Sequence, residues 1–386
     1  MIMGLKMVEV AAVTTTVNLH AIQPFPSVSV QSAHLQCIKF PLKRTSKVRA
    51  LLISESPPPP RSSPTVTFRR TVGRQSLVKG EIGNNSGDKG TNRKRVFFLD
   101  VNPLCYDGST PSLDAFGHWI SLFFSQVSLT DPVIAVFDGE GGGEHRRRLL
   151  PSYKEHRRRF LADRLSVTSQ KHAKDHAERA QVVINVLSKC NVPIVKVEGQ
   201  EADDVVATLA EQVRPRGYRV VIASPDKDFK QLICEDVQIV CPITELKRWS
   251  FYTLKHYLAQ YNCDPCSDLS YRSIVGDEVD GVPGIQSVAP GFGRKTALKL
   301  LKRHGSLENL LNAAAVRTVG KQYVQDALVE HSDYLRRNYQ VLALRRDVKV
   351  HLQDEWLVQR DRCHDSAALA DLFNLLGQRK RCLTRK

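Results

Sequence analysis

The chain has 386 residues, 42% of them hydrophobic, and a formal charge of +16. That length accommodates two domains, and the apolar share is enough for a real core. No run is long and apolar enough for a membrane helix, so no membrane partner is expected, and nine cysteines without disulfide-like spacing point to a reducing compartment.

The charge is unevenly spread. Residues 1–95 carry 15 Lys/Arg against 4 Asp/Glu, and the remainder carries 41 against 36. The first segment is also rich in Ser and Thr, contains the run Pro57–Pro60, and shows no lasting periodicity. Basic, hydroxyl-rich and acid-poor composition predicts an organellar transit peptide and linker over residues 1–92. Its Ser/Thr/Val/Pro flavour favours a chloroplast (plastid), with mitochondrion as the alternative. A disordered basic arm that holds nucleic acid is the competing reading.

Order begins at Arg95-Val-Phe-Phe-Leu-Asp100, a short apolar run closed by an acid. Pro132–Asp138 repeats the design. Val192–Val197 leads into Glu201-Ala-Asp-Asp204, and Tyr218–Ser224 leads into Pro225-Asp-Lys-Asp228. Val237–Cys241 reads as a further strand, and Ala180–Cys190 and Val205–Arg214 read as helices. Strands alternating with helices predict an α/β fold with a mainly parallel sheet, whose sites gather at the carboxyl ends of the strands. From about residue 250 the strand signal fades. A turn-rich stretch brings Asp277 and Asp280, the glycine-rich Gly291–Thr296 opens a helix, and the tail from Tyr323 to Phe373 is mostly helical, with a short strand expected at Val348–Leu352. The expected domains are 93–250 and 251–386.

The acids Asp100, Asp138, Glu201, Asp203, Asp204, Asp226, Asp228, Asp277 and Asp280 recur at corresponding places. Crowded like charge requires cations. Hard divalent ions take oxygen ligands, and two of them about 4 Å apart can drive phosphodiester hydrolysis. Helix capping is the competing role for Glu201–Asp204, and an acidic turn for Asp226 and Asp228. Lys154, Arg157 and Arg158 have the spacing of one helical face, suited to a phosphate backbone, with Tyr153 offering a ring for base stacking. Backbone N–H groups at Gly291, Gly293 and Thr296, assisted by Lys295, could hold a phosphate. Cys263, Cys266, Cys363 and His364 read as ordinary thiols and a histidine sooner than as a zinc site.

Together these motifs resemble the 5′→3′ nuclease domain of bacterial DNA polymerase I and the related flap endonucleases and phage 5′-exonucleases. The similarity runs from about Arg95 to Phe373. It is carried by Leu99-Asp100, Val136-Phe-Asp138, Arg146 followed by Pro151–Arg157, Glu201–Asp204, Ser224–Leu232, Gly276–Asp280 and Gly293–Leu298. The resemblance implies a PIN-like (resolvase-like) catalytic domain and a C-terminal helical, SAM-like domain with a helix–three-turn–helix. It makes Asp100, Asp138, Glu201, Asp203 and Asp204 the surroundings of one metal, and Asp226, Asp228, Asp277 and Asp280 those of a second. It makes Arg146, Lys154 and Arg157 contacts to the scissile phosphate, Tyr153 a stacking residue, and Gly291–Thr296 a helix–hairpin–helix that grips duplex DNA around a potassium ion. Two departures stand out: Arg157–Val167 replaces a proline-rich step, and Gln286–Pro290 is inserted before Gly291. No polymerase domain follows, which implies a stand-alone nuclease.

The expected function is metal-dependent 5′→3′ exonuclease or flap endonuclease activity on DNA, using two Mg²⁺ or Mn²⁺ ions, in organellar replication or repair. The protein is expected to act as a monomer on 5′ flaps, nicks or single-stranded ends. A PIN-like ribonuclease acting on RNA is the alternative. A non-catalytic nucleic-acid binder is the rival class, and nine phosphate-repelling carboxylates argue against it.

Overall fold

A computed structural model describes residues 93–108, 110–155 and 169–383. The segment expected to be a transit peptide, together with Arg157 and Arg158, lies outside the described residues. The frame is a six-stranded sheet built from β1 (Arg95–Asp100), β4 (Val133–Phe137), β5 (Ile194–Lys196), β6 (Arg219–Ala223), β7 (Val237–Ile243) and β8 (Arg248–Tyr252). Tyr106–Asp107 and Thr110–Pro111 (β2 and β3) make a small separate hairpin. The sheet order is β5-β4-β1-β6-β7-β8; all neighbours are parallel except β7 and β8. Val96 to Leu99 are wholly buried, as a central parallel strand covered on both faces must be. The alternating strand geometry sends Val96 and Phe98 into one core layer and Phe97 and Leu99 into the other.

One layer holds α4 (Ala202–Val213) and residues of α5 (Leu254–Tyr261). The other holds α1 (Leu113–Leu122), residues of α3 (Ser169–Lys189) and α11 (Asp365–Leu383), and the short α2 (Glu144–Leu149) follows β4. A third apolar cluster belongs to the helical region: α6 (Asp268–Val275), α7 (Arg294–His304), α8 (Leu307–Ala315), α9 (Gln322–Glu330) and part of α10 (Ser332–Leu342). Between α6 and α7 lies the tight β9–β10 hairpin, Gly276–Asp277 with Val282–Pro283. None of the described helices is long and apolar enough to cross a membrane.

Two expectations change here. A domain boundary at residue 250 would cut β8, which pairs along its length with β7. The chain also returns after α10: Leu344, Val348, Val350 and Leu352 pack into the sheet's core, and α11 packs against α1 and α3. The strand expected at Val348–Leu352 is not one. Its alternating buried side chains produced the signal, but its backbone partners are side chains of α4. Thr208 Oγ1 accepts from Val348 N–H, and Gln212 bonds both Val350 O and Leu352 N–H.

Candidate active site

Parallel pairing brings strand ends to one edge, with Asp100 opposite Val136 and Leu99 opposite Ala223. Asp100 is buried and accepts 2.8 Å from Ser224 Oγ. Burial first, and then the charge of Asp138, push its carboxyl up to about 7. Asp203, in the first turn of α4, is raised well above the carboxylate range by burial, then by Asp226 and Asp100. Asp226 is raised by burial, then by Asp228, and Asp280 adds to the effect. Asp226 accepts 2.9 Å from the N–H of Asp228 and so caps the turn Lys227–Leu232. Asp228 behaves oppositely. Burial would raise it, but Arg272 outweighs that and holds it at about 2. One carboxylate oxygen each from Asp228, Asp277 and Asp280 lie within 4.8 Å of one another, the single such cluster of three or more potential metal ligands among the described residues. Cys263, Cys266, Cys363 and His364 form no such group there.

Local packing explains how these acids meet. Gly139 N–H donates to Gln200 O and Gly199 N–H to Glu140 O, so the loops after β4 and before α4 are zipped together. A Cβ at Gly139 would fall 1.9 Å from Val197 O, which only glycine avoids. This lets Asp138 Oδ1 accept 2.7 Å from the N–H of Ala202 at the start of α4. The cap is therefore supplied from another strand: Glu201 occupies the N-cap position, but its side chain makes no capping bond. Opposite, the Ser152–Lys154 loop docks on the β9–β10 hairpin. Lys154 N–H donates 2.8 Å to Asp280 O, and Ser152 Oγ donates 3.0 Å to Gly281 O. Gly281 has φ +69°, and a Cβ there would approach Ser152 O to 2.4 Å.

The cationic residues are corrected in role. Lys154 has φ +51° in a turn, so the helical face expected to join it to Arg157 and Arg158 does not include it. Its Nζ donates 2.6 Å to Glu201 Oε1, and its charge helps lower Glu201 and Asp228 while opposing the rise of Asp100 and Asp203. Arg146, expected at the scissile phosphate, is 5% exposed. It pairs with Glu201 and with both oxygens of Asp204, and donates to Val341 O and Ala343 O. Asp204 also accepts 2.8 Å from Arg345 N–H, so Arg146 and Asp204 form a buried knot and not a ligand set. Tyr153, expected to stack on a base, is buried. Its hydroxyl donates to Glu201, and its ring lies 4.8 Å from Lys154 Nζ. Glu201 is lowered because Lys154 and then Arg146 outweigh its burial.

Gly291, at φ +92°, and the buried Phe292 turn the chain into α7, where Gly293 is the N-cap. Thr296 is half-buried. Arg294, Lys295, Lys299, Lys302 and Arg303 are exposed on this helix, a face suited to phosphates. Sequence reasoning missed Arg272, which touches Asp228 at 2.5 Å and Asp277 at 2.6 Å. A cation four residues after Asp268 reads as an ordinary helix pair, and nothing in its spacing shows the tertiary partners.

Residues 95–262 match the family model for the 5′-3′ exonuclease N-terminal resolvase-like domain, and residues 264–363 match the model for the 5′-3′ exonuclease C-terminal SAM fold. A 5′-3′ exonuclease of Aquifex aeolicus is 28% identical over 260 residues, spanning 67% of this chain and 80% of that protein. DNA polymerase I of Mycobacterium tuberculosis is 33% identical over 209 residues, spanning 53% of this chain and 22% of the polymerase. The bacteriophage T5 D15 protein, crystallised with metal ions, shares the fold at a TM-score of 0.53 and 20% identity, over 73% of this chain and 99% of that one. A T5 5′-exonuclease structure with zinc gives a TM-score of 0.52 at 21% identity, over the same shares.

Proposed function

Since the chain belongs to the 5′-3′ exonuclease family, a family of nucleases, we propose that it is a divalent-metal-dependent 5′→3′ exonuclease and flap endonuclease acting on DNA by a two-metal mechanism. The observation that carries the metal reading is the set of buried and half-buried carboxylates that oppose one another's ionisation at the strand ends. Such a group is costly in the charged form unless cations are supplied, and its donors are all oxygen, which suits Mg²⁺ or Mn²⁺. Asp100, Asp138 and Asp203 would hold one ion and Asp228, Asp277 and Asp280 the other, with Asp226 between them. Bound there, the ions would supply Lewis acidity to the phosphoryl oxygens and a lowered pKa to water.

The chain's own residues do the rest. Lys154 carries its charge at the pocket, oriented by Glu201 and by the ring of Tyr153. Its positive φ is held by the bond to Asp280 O, a local strain fixed by the surrounding structure at a functional position. Glu201 itself is fixed by Arg146 and Tyr153. The α7 face and the Gly291–Thr296 turn would grip a duplex backbone, with a potassium ion at the turn. The similar T5 protein has been crystallised in a complex with DNA and metal ions, which supports DNA as the substrate. The basic, acid-poor composition of residues 1–92 supports delivery to an organelle, and its Ser/Thr/Val/Pro flavour favours a plastid before a mitochondrion, for replication or repair.

The test is cleavage of 5′-labelled flap, nicked and single-stranded DNA, and of RNA, across a Mg²⁺ titration. Cleavage that persists in EDTA sinks the metal mechanism, and RNA cleaved in preference to DNA moves the substrate to the ribonuclease alternative. Residues 1–75 fused to a reporter should direct it to plastids, and a cytosolic reporter ends the targeting proposal.

A further inference from the structure

Arg272 lies on α6, buried, and its single Nη2 atom serves two acids from different parts of the fold. Asp228 follows β6 of the sheet, whereas Asp277 belongs to the hairpin that leads into the helical region. The other terminal nitrogen, Nη1, is buried without a hydrogen-bond partner. A guanidinium with an unsatisfied donor is costly in a buried site. Two carboxylates sharing Nη2 offset that cost: Asp228 has no other cationic partner among the described ion pairs, and Asp277 would be left to Lys227 alone. Lys227 also reaches Asp277, at 2.8 Å, but its side chain is 42% exposed. Arg272 alone is shown touching both acids among the described ion pairs.

We infer that Arg272 is a positioning residue, an internal counter-ion that holds Asp228 and Asp277 together across the sheet–helix junction before a divalent ion arrives. An ion entering this cluster must share or take over the role of the guanidinium. The second half of this inference rests on the metal-dependent reading above, and the first half does not.

The experiment is thermal unfolding of the full chain in EDTA and in Mg²⁺ for wild type, Arg272→Met, Arg272→Lys and the double variant Arg272→Met/Asp277→Asn. In EDTA, Arg272→Met should lose about 5–10 °C, as expected for a broken buried pair in a domain of this size. Mg²⁺ should raise its Tm by more than it raises that of wild type, since the ion replaces the missing cation. Arg272→Lys should fall between the two, and Asp277→Asn should restore part of the EDTA loss by removing one of the two neighbouring carboxylate charges that Arg272 no longer offsets. A purely structural bridge would lower Tm equally with and without Mg²⁺. An EDTA Tm within ~2 °C of wild type, or, where Mg²⁺ stabilises wild type, a Mg²⁺ shift of the variant no larger than that of wild type, overturns the inference. If Arg272→Met does not fold, Arg272→Lys decides by the same Mg²⁺ criterion. If Mg²⁺ stabilises not even wild type, the metal reading fails. The EDTA comparison of single and double variants then still decides the counter-ion role: rescue supports it and no rescue overturns it.

Discussion

Asp203 stands against Asp226 and Asp100 across the strand ends, whereas Asp204, the next residue of α4, lies against Arg146 and the N–H of Arg345. Both come from one acidic run and one helix turn. Asp203 belongs to a region where like charges are packed together, and Asp204 to one where every oxygen has a cationic or N–H partner. The first arrangement disfavours the metal-free protein and creates demand for added cations. The second stabilises the fold and leaves little for a ligand to gain. Asp203 is half-buried and Asp204 buried, and the supply of partners separates a site from a structural knot.

The contrast can be broken most directly at Asp203. Asp203→Asn should reduce Mg²⁺-dependent cleavage by at least ~100-fold while leaving the Tm in EDTA equal or higher. Lys154→Ala should show a loss of similar order confined to kcat, since its charge is placed at the pocket and not on the duplex-binding face. Arg146→Met tests the other region. It leaves Glu201 and Asp204 without their buried partner and should cost about 3–5 kcal/mol of stability by denaturant unfolding. A fully stable Arg146→Met protein would mean that the knot is not what holds α4 and the returning tail together.

A pH series sharpens the comparison without mutation. The folded-state pKa of Asp100 is about 7, and Asp203 and Asp226 shift the same way. Between the ordinary Asp range and pH 7 the folded protein therefore binds more protons than the unfolded chain. In EDTA, these groups should make stability fall as pH rises through that window, and the contribution of Asp100 should level off above it. Asp228, at about 2, contributes in the opposite sense, losing its stabilisation only as pH drops below 4. The Tm increment from Mg²⁺ should consequently grow from pH 5 to 7, and a flat increment would contradict the crowded-carboxylate account. The smallest effect is expected for Tyr153→Phe, which removes one hydroxyl donor to Glu201 at a cost of about 1 kcal/mol with cleavage largely retained.

The strand-end acids were legible because Val96–Leu99 and Val133–Phe137 are continuous apolar runs that stop at a carboxylate, a local pattern with a topological meaning. The partners of those acids were not. Arg146 reads as one cation among several, and only the fold brings Val341 O and Ala343 O to it from almost 200 residues away. The burial of Tyr153 depends on Val282 and Leu342 in the same small cluster, again remote in sequence. Residues 348–352 misled because alternating burial is also what an extended segment shows when side chains, not a ladder, take its backbone hydrogen bonds.

The return of α11 to the sheet has a consequence for how the molecule is made. Leu372 and Leu376 complete the apolar layer formed by Phe116, Trp119 and Ile120, and a Cβ at Gly117 would meet Phe373 at 3.0 Å. Partners roughly 250 residues apart close this layer, a contact whose loop-closure entropy must be overcome late. During synthesis, Asp100 leaves the ribosome long before the helix that seals the face of its own strand. The nascent chain therefore carries Asp100 and Asp138 for most of its translation without a finished core behind them.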